Sequence, residues 1–172
     1  MRKITILIIS LLLITLYLSG CSQKAVCDSY EVVAEIYFQA VQDNDLDAID
    51  ELNELSMIAA FKEDGGGDAD SLEYYLDADH FYGRYYQQAI DSIQTLSTQI
   101  ISPSNFITHE GEPADAMSAT IYRVAFSSGK TCLAIQLCYS IDNQWYYEQT
   151  IAYPDNYSLD FIEEYILPEY LS

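Results

Sequence analysis

Apolar positions along this chain follow three patterns: one unbroken run at the start, helical spacing through the first half, and alternation by twos in the second. Arg2 and Lys3 precede the unbroken run, Ile4 to Leu18, and the sequence turns polar and acidic beyond Cys21. A basic start, a short apolar middle and small residues at its end form the layout of a secretory signal. The run is short for a membrane span.

Helical spacing begins after Cys27. Asp28 is the expected cap of a first helix, with Glu31 three residues on, and Val33, Ile36, Tyr37, Ala40 and Val41 share one apolar face. The helix is expected to stop near Gln42 to Asn44. Asp45 then caps a second helix that turns Leu46, Ile49, Leu52 and Leu55 inward. Residues 62–71 contain three consecutive Gly and read as a loop. Its acids Asp64, Asp68 and Asp70 do not fit the calcium-loop spacing. Asp79 is the expected cap of a longer helix carrying Tyr82, Tyr86, Ala89, Ile90, Ile93 and Leu96 on one side.

The period then changes to two. Thr98 to Thr108 reads as extended chain broken by Pro103, and Met117 to Phe126 as a strand closed by the turn Ser127-Ser128-Gly129-Lys130. Thr131 to Ile141 alternates most clearly: Leu133, Ile135 and Leu137 fall on one face, Cys132, Ala134, Gln136 and Cys138 on the other. Asp142-Asn143 suits a two-residue turn. Gln144 to Tyr153 is the last strand, expected to place Trp145, Tyr147, Gln149 and Ile151 together. Ser158 caps a final helix that Pro168 is expected to end. Helices, then three to four consecutive strands, then a helix predict an α+β domain: N-terminal helices packed on a curved antiparallel sheet, plus a C-terminal helix. No internal repeat is visible.

Composition narrows the function classes. The chain carries 7 Lys+Arg against 27 Asp+Glu, a formal charge of −20. Loss of Arg2 and Lys3 with residues 1–20 takes the remaining 152 residues to −22. Such a surface repels phosphate backbones, so nucleic acid is not an expected partner. Half the residues are hydrophobic and 16 are Tyr, which excludes a disordered acidic tail. Cys132 and Cys138 lie six residues apart in one strand, about 20 Å at about 3.3 Å per residue, beyond disulfide reach. Cys27 could reach them only if the chain folds back. No spacing fits a zinc site, a phosphate loop or a nucleophile motif, so no metal or cofactor is expected.

Leu18-Ser19-Gly20-Cys21 resembles the lipobox of bacterial lipoproteins. The resemblance implies cleavage before Cys21, diacylglycerol on its thiol, and residence at the outer side of the bacterial cell membrane. It divides the chain into a signal peptide (1–20), a tether (21–27) and a single domain (28–172). A second resemblance begins at Val32 and runs through Tyr37-Phe38-Gln39-Ala40, Asp43-Asn44-Asp45 and Leu46 to Ile49. With the hairpin Ile141-Asp142-Asn143-Gln144-Trp145-Tyr146, it is similar to nuclear transport factor two-like domains, the cystatin-like α+β cone. That implies a cavity between helices and sheet, and dimerisation through an open sheet face carrying Cys132, Ala134, Gln136 and Cys138. Two departures, the long 62–97 region and the helix after Pro154, bear on whether such a cavity stays open.

Enzymes in that superfamily use an Asp, His or Tyr inside the cone. Asp79, His80 and Tyr82 are the acid/base candidates, although neighbours in a helix point to different sides. His109 sits in a polar loop. The favoured expectation is a lipid-tethered binding or scaffold module for an unknown small molecule or protein, with Tyr82, Tyr85, Tyr86, Trp145 and Tyr147 as its contact surface and no catalytic residue. The alternatives are a small-molecule isomerase, dehydratase or hydrolase, and an accessory subunit of an envelope complex recognised through its acidic face.

Overall fold

The computed structural model describes residues 27–52, 80–85, 87–102, 104–107, 111–154 and 156–171. The readings placed on Cys21, on residues 53–78, on Asp79, Tyr86, Pro103 and Thr108, and on His109 lie outside them. Four antiparallel strands form one sheet in sequence order: β1 (Ile90–Ile101), β2 (Ala116–Phe126), β3 (Thr131–Ile141) and β4 (Gln144–Pro154). Helices α1 (Tyr30–Asp43), α2 (Leu46–Leu52) and α3 (His80–Tyr85) precede it. After it, α4 (Leu159–Phe161), a π-helical turn (Ile162–Ile166) and α5 (Leu167–Tyr170) run on without a break. The class is α+β.

Ser29, not Asp28, caps α1: its hydroxyl accepts from the Val32 N–H at 3.4 Å. The cap falls one residue later because a cap needs extended backbone, which Ser29 has at φ −152°, ψ 160°. Val33, Ala34, Tyr37, Phe38, Ala40 and Val41 are buried. Asn44 closes the helix in the left-handed region at φ 57°, and Asp45 accepts from the Ala48 N–H at 3.1 Å to start α2.

The long third helix is the main correction. α3 stops at Tyr85, Gln87 turns left-handed at φ 61°, and residues 90–101 are strand. Ile90, Ile93 and Leu96 satisfy a helical period, but their neighbours include Ser92, Thr95, Ser97, Thr98, Ile100 and Ile101. This composition, rich in β-branched residues, suits a strand, and the backbone of β2 is available to pair with it.

β3 and its two turns follow the alternation. Thr131–Ile141 is the strand expected, and Asp142 and Asn143 both take positive φ, 54° and 63°. β4 departs from it. Leu137 pairs with Gln149 but Cys138 pairs with Tyr147, so Glu148 is an extra residue with no opposite number. This β-bulge turns the strand over. Trp145 and Tyr147 therefore share the face of Cys138, while Gln149 and Ile151 go to the face of Leu137, and the expected four-residue row is split.

The two faces hold separate cores. On one, Tyr37 of α1 stacks on Tyr147 at 4.6 Å, Phe38 meets Tyr122 edge-on at 5.3 Å, and Tyr85 of α3 stacks on Phe126 at 4.6 Å. On the other, Ile121, Leu133, Ile135 and Leu137 pack with Ile162 and Leu167 of the C-terminal stretch. That stretch passes Pro168 instead of ending there, and Leu167 keeps helical angles of φ −58°, ψ −39°. Its N–H bonds to the Ile162 carbonyl five residues back. The wider turn brings Ile162 and Leu167 toward the same side, and both are fully buried. Burial of that pair outweighs the conformational preference before proline.

Candidate functional site

Cys27 is the first of the described residues. It lies beside β4, its carbonyl accepting from the Trp145 N–H at 2.9 Å, and its thiol is buried. The last residue assigned to the tether is therefore part of the domain. The chain does fold back, and Cys138 feels the Cys27 thiol electrostatically. Burial, the larger effect, raises the pKa of both thiols.

Three of the five expected contact rings are core. Tyr82 and Tyr147 are fully buried and Tyr85 nearly so. Tyr82 donates its hydroxyl to the Asn44 side chain, tying α3 to the end of α1. Trp145 is half-buried with its ring edge-on to Tyr30 at 5.4 Å, and Tyr86 lies outside the described residues. Of the acid/base candidates, Asp79 lies outside, only the backbone of His80 is described, and Tyr82 is committed to Asn44. The sheet face expected to be open is covered: Cys132, Ala134, Gln136 and Cys138 are all buried.

That covered face carries a polar row that only strand register reveals. Thr98 pairs with Thr120, Thr120 with Gln136, and Gln136 with Thr150, one residue from each strand. The Thr98 and Thr120 hydroxyls are 3.2 Å apart, and the Gln136 amide donates to Thr150 at 3.4 Å. Thr120, Gln136 and Thr150 are buried, and these bonds offset their desolvation. The row holds strands together and offers no group for chemistry.

A concavity opens beside it. A cleft of about 860 Å³ runs between α1 and β1. Ala34, Phe38, Ile93 and Tyr122 supply apolar surface, and Glu31, Glu35, Asp43 and Asp45 supply carboxylates. Glu31, Glu35 and Asp43 are carried by α1, and Asp45 follows at the start of α2. Burial acts to raise the pKa of Glu31, but hydrogen bonds from Ser29, its own backbone and Tyr30 outweigh it and hold the carboxyl below its ordinary value. The same bond to Glu31, more than burial, raises the pKa of the Tyr30 phenol. Burial does the same to Tyr122. The cleft thus sets carboxylates beside the Tyr122 hydroxyl and an apolar floor.

A smaller pocket of about 360 Å³ lies on the opposite sheet face, beside Glu148 and the C-terminal stretch. Sequence reading assigned Glu148 no role. Its one visible signal is an acid inside an apolar strand. No cluster of three or more metal-ligating side chains occurs among the described residues, and no described helix is long and apolar enough to cross a membrane. Comparison of the chain with protein-family profiles, curated proteins and solved structures finds no match.

Proposed function

We propose that this chain is a lipid-anchored, extracytoplasmic binding module, without catalytic chemistry, whose recognition surface for a cationic ligand is the cleft between α1 and β1. The cleft geometry carries the reading: four carboxylates, three from α1 and one from the start of α2, line an apolar trough large enough for a small ligand or a peptide side-chain cluster. Leu18-Ser19-Gly20-Cys21 supports the anchor, with lipid on Cys21 fixing the chain to the membrane. The strong negative charge supports the cationic ligand. Among the described residues, three helices ahead of four antiparallel strands support a nuclear transport factor two-like arrangement, with α1 as the helix over the cavity.

Two measurements test this. Intact mass of the full chain purified from bacterial membranes is expected to show diacylglycerol on Cys21, and Cys21→Ser to abolish both the added mass and membrane retention. An unmodified thiol on cytoplasmic protein overturns the anchor. Spermidine titrated by NMR is expected to shift α1 and β1 amides. The double variant Glu35→Lys/Asp43→Lys is expected to weaken its binding about tenfold or more at low salt, and added salt to erase the difference. Binding unaffected by either change overturns the cleft assignment.

A further inference from the structure

Glu148 is the one acidic residue buried in the sheet, 6 % exposed. As the extra residue of the β4 bulge, it lines the smaller pocket together with its neighbour Gln149, which regular alternation would place on the other face. Phe106, Ile107, Met117, Leu137 and Tyr170 supply apolar walls, and Glu169 stands at the margin. The Tyr170 hydroxyl lies 3.3 Å from that of Tyr153, which holds the ring against β4. Among the described residues no hydrogen-bond donor or cation meets the Glu148 carboxylate, and burial alone sets its state. Neither Glu148 oxygen is among the buried side-chain atoms left without a partner, so the carboxyl is reached through the pocket it lines.

We propose that this pocket is a second binding site, for a small primary amine with an apolar body, whose ammonium is received by Glu148 and Glu169 while its body lies against Phe106, Ile107 and Tyr170. The volume lies at the small end of ligand cavities, about 300–1,000 Å³. The donor-rich ammonium supplies what the carboxylate lacks, and apolar walls exclude a fully hydrated ion. Burial raises the Glu148 pKa to about 7. Binding of the ammonium therefore expels the carboxyl proton to water and leaves the paired ions behind. The charged or titratable groups that line the pocket with Glu148 are Glu169 and Tyr170 of the C-terminal stretch, and the Cys138 thiol of β3 acts on it only electrostatically, from the other face. Of these only Glu169 carries a charge that favours the amine.

The test uses the full chain with 2-phenylethylamine and its neutral counterpart 2-phenylethanol, followed by calorimetry and by NMR shifts. The amine is expected to bind more tightly at pH 8, and to lose about tenfold in affinity per pH unit well below the Glu148 pKa of about 7. Glu148→Gln is expected to weaken the amine about 10- to 100-fold, remove the pH dependence and leave phenylethanol unchanged. Glu169→Gln, on the exposed margin, gives a second reading and is expected to weaken the amine by a few-fold. Equal binding of amine and alcohol, a Glu148→Gln variant that binds the amine as well as the parent, or no saturable binding by about 10 mM overturns the proposal. Because the cleft lies on the other sheet face, Glu35→Lys/Asp43→Lys separates failure of this site from failure of that one.

Discussion

The two faces of the sheet solve one packing problem with different materials. Toward α1 and α3 the core is aromatic: Tyr37, Phe38, Phe81, Tyr85, Tyr122, Phe126 and Tyr147 meet ring to ring. Toward the C-terminal stretch it is mostly aliphatic, with Ile121, Leu133, Ile135, Leu137, Ile162 and Leu167. The aromatic face can also carry polar atoms, because hydroxyls and amides pair across its strands in the Thr98–Thr120–Gln136–Thr150 row. On the aliphatic face the one buried acid, Glu148, finds no such partner among the described residues. Polarity is accommodated where register supplies a neighbour and becomes a local liability, or a ligand site, where a bulge removes it.

The contrast sets the sizes of the effects. Tyr37→Ala removes a fully buried ring stacked on Tyr147, and is expected to cost about 3–5 kcal/mol in chemical unfolding. A loss under about 1 kcal/mol would mean that the aromatic face does not carry the fold. Glu148→Gln works in the opposite direction. Folding raises this carboxyl from 4.5 to about 7, so the native state holds the extra proton and stability falls as pH rises through that window. At pH 8 the variant is expected to be more stable than the parent, by up to about 3 kcal/mol for such a shift, with the gap closing by about pH 4.5. Melting curves across pH read this directly, and a gap independent of pH would show that Glu148 is not held protonated by burial. Tyr82→Phe, which keeps the ring and deletes the hydroxyl that bonds to Asn44, is expected to cost about 1 kcal/mol. A larger loss would mean that the link between α3 and the end of α1 matters more than one hydrogen bond.

Legibility followed how local each signal was. β3 could be placed by residue number because its alternation and the Asp142-Asn143 turn are contained within a dozen residues. The end of α1 and the start of α2 were nearly as clear, since Asn44 and Asp45 act within one turn of backbone, while the first cap fell one residue past the one expected. The rings chosen as a contact surface were misjudged for the converse reason. Tyr82, Tyr85 and Tyr147 show the same chemistry whether they face solvent or core, and only α1 and β2, distant in sequence, decide which. The cleft was not legible at all, since its edge comes from α1 and its floor partly from Ile93 and Tyr122, far along the chain.

What the residues determined unaided was therefore the acidic surface, the α+β order, and those strands and caps whose causes are near neighbours. Tertiary structure alone decided that residues 90–101 extend rather than coil, that Glu148 breaks the step of β4, and that a π-helical turn carries the chain past Pro168. Each of these turns on pairing or burial against a partner distant in sequence. Local preferences differ by about 1 kcal/mol or less per residue, while burying one large side chain yields about 1.5–3 kcal/mol, so the distant partner prevails.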